Sequence, residues 1–249
     1  EGKSATMRYF MIALTFLTRI PICNRSIYQQ EDFQKSIFFF PIIGLLIGGI
    51  LWGSYYLLDM IFPQQITAAL LLLIYVVLTG GLHLDGLIDT VDGLYGGMTK
   101  ERRLEIMKDT NPGAFGVLGA VLILVLKYSI YAQIDQGMLL FLVVAPVLGR
   151  QSMVWVQVFY PYARKEGLGK LFSVYHNFVL FGVTTGITLV ISFCIAQIAG
   201  IFIFLLTAVF CFLMASQIAR LLGGLTGDTY GAVCELSEIF ALLAAFIII

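Results

Sequence analysis

The stretch GGLHLDGLIDTVDGLYGG, residues 80–97, places three carboxylates at the end of one of the most apolar runs in the chain. A helix over 84–95 spaces Asp85, Asp89 and Asp92 at i, i+4 and i+7, so all three share one face. Gly86 and Gly93 form a neighbouring stripe, leaving room for a ligand or for another backbone. His83 points away from that arc on an unbroken helix, and joins it only if the helix begins after it. Three like charges at a membrane boundary repel one another and resist desolvation. They can stay protonated, pair with bases or hold a cation, and too few Lys or Arg lie within a turn for pairing to suffice. An all-oxygen ligand set selects a hard cation such as Mg²⁺ or Mn²⁺, and Mg²⁺ usually takes its remaining ligands from water and phosphate. The competing reading is a solvated acidic loop just outside the bilayer. A single Asp would favour it; three in register do not.

A second polar helix follows. Thr99 can cap it, Glu101 suits its first turn, and the NPG at 111–113 ends it. Arg102, Glu105 and Asp109 repeat the i, i+3, i+7 spacing and share a face. Asp109 can complete the metal set, while Arg102 and Lys108 can meet phosphate oxygens; taken alone, this is an ordinary amphipathic helix. Arg150 lies inside an apolar span, which is costly unless it faces a polar cavity. YPYARKEGLGKLF (160–172) sets Arg164 and Lys170 around a glycine-containing turn. LGGLTGDTYGAVCELSE (222–238) gives a Gly-rich loop with Asp228, then Glu235 and Glu238. Backbone amides of such loops, and helix N-termini, suit phosphate. Carboxylates for a metal and cations for phosphate, converging on one cavity, suit metal-assisted phosphoryl or diphosphate chemistry.

The elements that must position these groups are membrane helices. Of 249 residues 59% are hydrophobic and 12% charged, and the mean hydropathy is +0.94, which a water-soluble domain cannot hide. Apolar stretches long enough for a hydrocarbon core of roughly 30 Å fall at 36–58, 64–84, 114–134, 137–160, 178–200, 201–222 and 231–249. Such spans must be helices. The expected fold is therefore an all-α, polytopic membrane bundle of about seven transmembrane helices. An interfacial helix at 7–22 precedes them, and residues 1–249 form a single domain. The loops 58–64, 134–137 and 200–201 are short, with Asp59 and Asp135 their only charges. Segments 19–35, 85–113, 161–177 and 223–230 carry the Lys and Arg, which places them and the chemistry in the cytoplasm of a bacterial-type cell with the protein in its inner membrane. Zero net charge suggests no nucleic-acid partner. Cys23, Cys194, Cys211 and Cys234 are scattered and read as buried thiols. Gly44/Gly48 and Gly182/Gly186 are GxxxG pairs suited to helix packing.

Five blocks, FFPIIGLLIG (39–48), GGLHLDGLIDTVDGL (80–94), RLEIMKDTNPGAFGVLG (103–119), YARKEGLGKLF (162–172) and LGGLTGDTYGAVCELSE (222–238), resemble in order those of the cobalamin synthase family, adenosylcobinamide-GDP ribazoletransferases. The resemblance runs from about Thr18 to near the C-terminus. It implies an Mg²⁺-dependent enzyme joining adenosylcobinamide-GDP to α-ribazole or its 5′-phosphate and releasing GMP. It implies metal binding at Asp85, Asp89, Asp92 and Asp109. It also gives weight to His83, makes Arg102, Lys108, Arg150, Arg164 and Lys170 candidates for the phosphates, and adds Asp228, Glu235 and Glu238 as site residues. DTVDG (89–93) also resembles the opening of the CDP-alcohol phosphotransferase motif, although Leu94 and Tyr95 stand where that motif continues with Ala-Arg.

On spacing alone Asp92 is the first choice for the base that accepts the attacking hydroxyl's proton, and Asp89 the second. A prenyltransferase acting on a diphosphate would need a second comparable Asp-rich motif, which is weak here. A cation transporter would need acid near the midplane and access from both sides. Neither the acceptor nor the oligomeric state follows from the residues, and an oligomer is compatible with them.

Overall fold

The computed structural model describes residues 2–20 and 29–248, with the side chains of 2–4 and Leu168 left aside. Cys23, the end of the expected 7–22 helix and part of segment 19–35 lie outside the described residues. The fold is all-α, as expected. Helix α1 (Gly2–Leu17) precedes the short α2 (Gln30–Ser36), α3 (Phe40–Asp59) and α4 (Gln64–Thr79). Then come α5 (Leu82–Gly96), α6 (Lys100–Ile106), α7 (Ala114–Tyr131) and α8 (Phe141–Phe159). A single turn, α9 (Leu168–Leu171), leads to α10 (Phe178–Leu222) and α11 (Gly227–Ile248).

Helix α8 is the axis: every residue from Phe141 to Val158 is buried, under α3, α10 and α11. Its polar residues are enclosed too, so its apolar content reflects a protein interior, not lipid contact. Glycine lets α3 come this close, because a Cβ on Gly44 would press on the Pro146 carbonyl and one on Gly48 on the Val143 backbone. The other GxxxG pair behaves differently. Gly182 and Gly186 have open space beside them and pack against nothing within the described residues. Lipid-facing side chains such as Leu122, Val125, Val190 and Leu213 lie on α7 and α10, where aliphatic exposure costs nothing in a bilayer.

The expected count of seven spans is not established. Five helices of the described residues are long and apolar enough, or six if α4 and α5 count together despite an 89° bend. That bend is made at Gly80 and Gly81, both left-handed (φ 66° and 67°), a conformation that side chains resist. Stretch 64–84 therefore ends early, and α5 turns away as a separate helix. The stretches 178–200 and 201–222 form one 45-residue element broken at Ala196 and Gln197. Both arms fold back on α8 around Trp155, whose indole donates to Thr185 at 2.9 Å while its ring meets Phe204 and Phe212. Helix α1 starts at Gly2 and ends at Leu17, earlier than the expected 7–22, and buries Ile12, Ala13 and Leu17. Cys211 and Cys234 are buried, whereas Cys194 is exposed on the outer side of α10, contrary to the expectation of a buried thiol.

The two ends of the bundle sort as their loops suggest. At one end the Gln64 side chain donates to the Ile134 carbonyl, close to Asp59 and Asp135. Segments 97–113, 160–177 and 223–228 meet at the other end.

Candidate active site

Three pieces of local structure assemble the polar end. Pro161, Tyr162 and Ala163 lie alongside Leu225, with the Ala163 amide donating to Leu225 at 2.7 Å and the Leu225 amide to Pro161 at 2.9 Å. This short ladder sets Arg164 beside Asp228, an ion pair of 2.8 Å, and Arg164 also donates to the Met107 carbonyl at 3.1 Å. Thr226 and Thr229 cap α11 reciprocally, each hydroxyl accepting the other's amide, at 3.3 and 2.8 Å. Asp228 then falls in the first turn of α11, where the helix dipole favours a carboxylate. The GGLTGDT string is thus a left-handed glycine turn (Gly223 and Gly224) followed by a cap.

Helix α5 lies across α11 because Gly86 and Gly231 allow it: a Cβ on Gly86 would meet the Asp228 backbone at 2.7 Å, and one on Gly231 the His83 backbone at 3.0 Å. The room beside the carboxylates is thus taken up by backbone on the Gly86 side, and on the Gly93 side by Arg103 of α6 and by Met107 just past its end. His83 lies within the unbroken helix and is buried, yet it still lines a cavity of about 270 Å³ together with Asp85, Arg164 and Asp228. Helix entry before His83 therefore does not remove it from the site, contrary to the expectation from spacing. Asp89 and Asp92 line a second cleft of about 360 Å³ with Arg102 and Glu105 of α6 and with Asp109, which lies past the end of that helix and not on a shared helical face as expected. Half-buried Asp89 lines only the second space, with Asp228, Asp85 and Asp92 as like charges around it and Arg164 as the nearby cation.

The carboxylates differ in what they already do. Asp92 accepts from the Gly113 amide at 2.6 Å with one oxygen and from the Gly116 amide at 2.8 Å with the other, capping α7 from a neighbouring helix. Asp109 is exposed and takes the backbone and side-chain N–H of Asn111, which hold its carboxyl below the usual carboxylate range. The carboxylates of Asp85 and Asp89 make no hydrogen bond or ion pair among the described residues. The expected four-carboxylate set does not close into one cage: Asp85 and Asp109 line different spaces. No three His, Cys, Asp or Glu of the described residues stand together as a metal ligand group. A cation held here by one or two carboxylates and by a ligand's phosphates still suits the all-oxygen donors and the excess of negative charge.

Three candidates lie elsewhere. Arg150, Glu235 and Glu238 form a buried cluster with Lys127 and Tyr75, inside the bundle and not in either acidic space. Lys127 Nζ lies 2.9 Å from both glutamates, Arg150 pairs with Glu238, and the Tyr75 hydroxyl is 2.7 Å from Glu235. This is a correction to the expected single cavity. Its physical reason is that two glutamates and two cations neutralise one another without solvent. Lys127 and Tyr75 were missed from the sequence, although a lysine inside LILVLKYSIY carries the signal already applied to Arg150: a charge inside a span needs a partner. Arg102 is paired with Glu105 at 2.8 Å on the surface, and Lys108 and Lys170 are exposed at the same end of the bundle.

Two acidic spaces lined by Arg102, Arg164 and glycines at one end of a bundle of apolar helices define a membrane protein with a polar site at that end. The family profile described as Cobalamin-5-phosphate synthase matches residues 9–246, and the chain belongs to that family. It is 43% identical to the adenosylcobinamide-GDP ribazoletransferase of Desulfitobacterium hafniense (strain Y51), with 97% of each chain covered. The proteins of that name from Clostridium acetobutylicum and Roseiflexus sp. (strain RS-1) are 37% and 39% identical. They cover 98% of both chains in the first case, and 92% of this chain and 86% of the relative in the second. No solved structure matches. Family membership sets aside the prenyltransferase and transporter readings.

Proposed function

We propose that this chain transfers the adenosylcobinamide phosphate group of adenosylcobinamide-GDP to α-ribazole or its 5′-phosphate, with release of GMP. The observation that carries the reading is the pair of unengaged carboxylates, Asp85 and Asp89, beside the Arg164–Asp228 ion pair, in a chain whose relatives bear that activity as their name. A ribose hydroxyl attacks the phosphorus that stays with cobinamide; the new P–O bond forms as the bond to GMP breaks. The hydroxyl proton passes to a carboxylate. Asp89 suits that role better than Asp92, whose two oxygens are occupied by α7 amides. Arg164 and Arg102 supply positive charge for the phosphates, and His83 lines the space next to them.

The cation expected here is Mg²⁺ or Mn²⁺, which Asp85 and Asp89 would hold, and it would neutralise charge gathering on the diphosphate. The polar end faces the cytoplasm of a bacterial inner membrane in this reading, supported by the Lys and Arg of its loops. The test is an assay of purified protein with adenosylcobinamide-GDP, α-ribazole and Mg²⁺, following GMP. Product formation that stops with EDTA and returns with Mg²⁺ is the expected result. Activity unchanged by complete chelation would exclude the metal assignment, and no GMP at all would exclude the reaction.

A further inference from the structure

The described residues contain eleven buried side-chain polar atoms without a hydrogen-bond partner, and five of them belong to four residues lining the cavity of about 270 Å³ beside Asp85. They are both ring nitrogens of His83, Oε1 of Gln157, Nε of Arg164 and the hydroxyl of Tyr230. His83, Gln157 and Tyr230 are each at most 2% exposed. Leaving a buried polar group unpaired costs stability, so a concentration of them around one space marks a ligand's place. The partners on offer are mixed: a phenol and an imidazole N–H to donate, an amide oxygen and an imidazole nitrogen to accept. The remaining wall is aromatic and apolar, with Phe16, Phe172 and Tyr162.

We propose that this cavity binds a nucleoside, its flat heteroaromatic base against the aromatic wall and its hydroxyls on the unpartnered groups. Aromatic faces hold bases by stacking. Mixed donors and acceptors suit ring nitrogens and ribose, whereas an ionised diphosphate only accepts and would leave the Gln157 amide oxygen unpaired. The volume lies just below the roughly 300–1,000 Å³ of small-molecule sites, which suits one nucleoside and excludes a macrocycle. The mouth, at Asp85, Asp228 and Arg164, adjoins half-buried Asp89, so a hydroxyl or phosphate of the bound nucleoside emerges where the transfer is proposed. The assignment rests on the proposed reaction only in naming two sources of such a group, α-ribazole and the guanosine of the donor.

The experiment measures equilibrium binding of α-ribazole and of GMP to the full-length detergent-purified chain, wild type, Tyr230→Phe and Gln157→Leu, with melting temperatures alongside. Both substitutions remove an oxygen that has no hydrogen-bond partner among the described residues, so melting temperature should hold or rise. Affinity for one nucleoside should fall about 3- to 10-fold per variant, the loss expected for one hydrogen bond, while the other is unchanged. A loss confined to α-ribazole assigns the cavity to the acceptor, and a loss confined to GMP assigns it to the donor. Unchanged affinity for both overturns the proposal and leaves the cavity to water. Equal loss for both with a lowered melting temperature also overturns it, as a packing defect. Turnover of the wild type is read separately. An inactive wild type that still binds with variant-sensitive affinity refutes the reaction and keeps the cavity, whereas an active one with insensitive variants does the reverse.

Discussion

The buried cluster around Lys127 and the acidic polar end treat their carboxylates in opposite ways. Within the bundle, all four oxygens of Glu235 and Glu238 are engaged by Lys127, Arg150 or Tyr75, and the Lys127 ammonium stands 3.6 Å from the Tyr75 ring centre. At the polar end, Asp85 and Asp89 are unengaged and Asp228 shares a single arginine. Buried charge survives only when paired, so the first group is the resolved case. The second retains an excess of negative charge that a folding requirement alone does not explain. That difference, and not the number of acids, separates scaffold from site. The cluster ties α4, α7, α8 and α11 together beneath the helix that carries the cleft, so the cleft rests on a neutralised base.

The largest effect expected is on the closed group. Lys127→Met removes one partner from two buried glutamates and should cost about 3–5 kcal/mol of stability. Thermal unfolding in detergent reads it, and adding Glu235→Gln to the same chain should recover part of the loss. Unchanged stability of the single variant would mean that the glutamates have another partner. Next comes Asp89→Asn, which keeps size but removes charge. Turnover should fall by about 10²-fold or more with little change in melting temperature, because one of several mutually repelling acids is neutralised. Near-normal turnover, equal to that of Asp59→Asn at the far end of α3, would return Asp89 to the surface. A smaller effect is expected from Arg164→Lys. It keeps the charge but loses the planar guanidinium whose Nη2 reaches both Asp228 and the Met107 carbonyl, and should lower kcat/KM by about 10-fold, worth about 1.4 kcal/mol. A kcat/KM equal to wild type would show that the geometry of the arginine is dispensable.

How far the sequence reaches follows the same division. Spacing within one helix is legible: Asp85, Asp89 and Asp92 lie on α5 and Arg102 and Glu105 on α6 as i, i+4 and i, i+3 arithmetic says, whereas α6 ends at Ile106, before the expected NPG stop, and Asp109 reaches the cleft from the turn that follows. Loop charge likewise sorts the two ends of the bundle. Partners separated by 108 or 160 residues, such as Lys127 and Tyr75 with Glu235, are not legible, because nothing local distinguishes a closed pair from an open site. That is why Arg150, Glu235 and Glu238 were grouped with the cleft. Gln157 and Tyr230 were missed for a related reason: a polar residue on a buried face looks satisfied until its surroundings are known. The span count failed at Gly80–Gly81 and at Ala196–Gln197, where backbone turns interrupt runs whose hydropathy stays high.

The smallest effect expected concerns Asp92, and it tests whether the comparison holds within the acidic motif itself. Its two oxygens accept the Gly113 and Gly116 amides, so it belongs with the engaged acids although it lies one turn from Asp89. Asp92→Asn keeps one carbonyl oxygen for these amides but offers an NH₂ where the second oxygen was, and it removes the charge that favours a helix N-terminus. The cost should be about 1 kcal/mol of stability, typical of a helix cap. Turnover should then fall by only a few-fold, through a slight misplacement of α7 and of the 109–113 turn beside the cleft. An Asp92 that takes the proton or carries the cation behaves otherwise: the variant would lose as much turnover as Asp89→Asn while keeping its melting temperature. Measuring both quantities on both variants in one preparation decides between cap and base, since a cap moves stability first and a base moves rate alone.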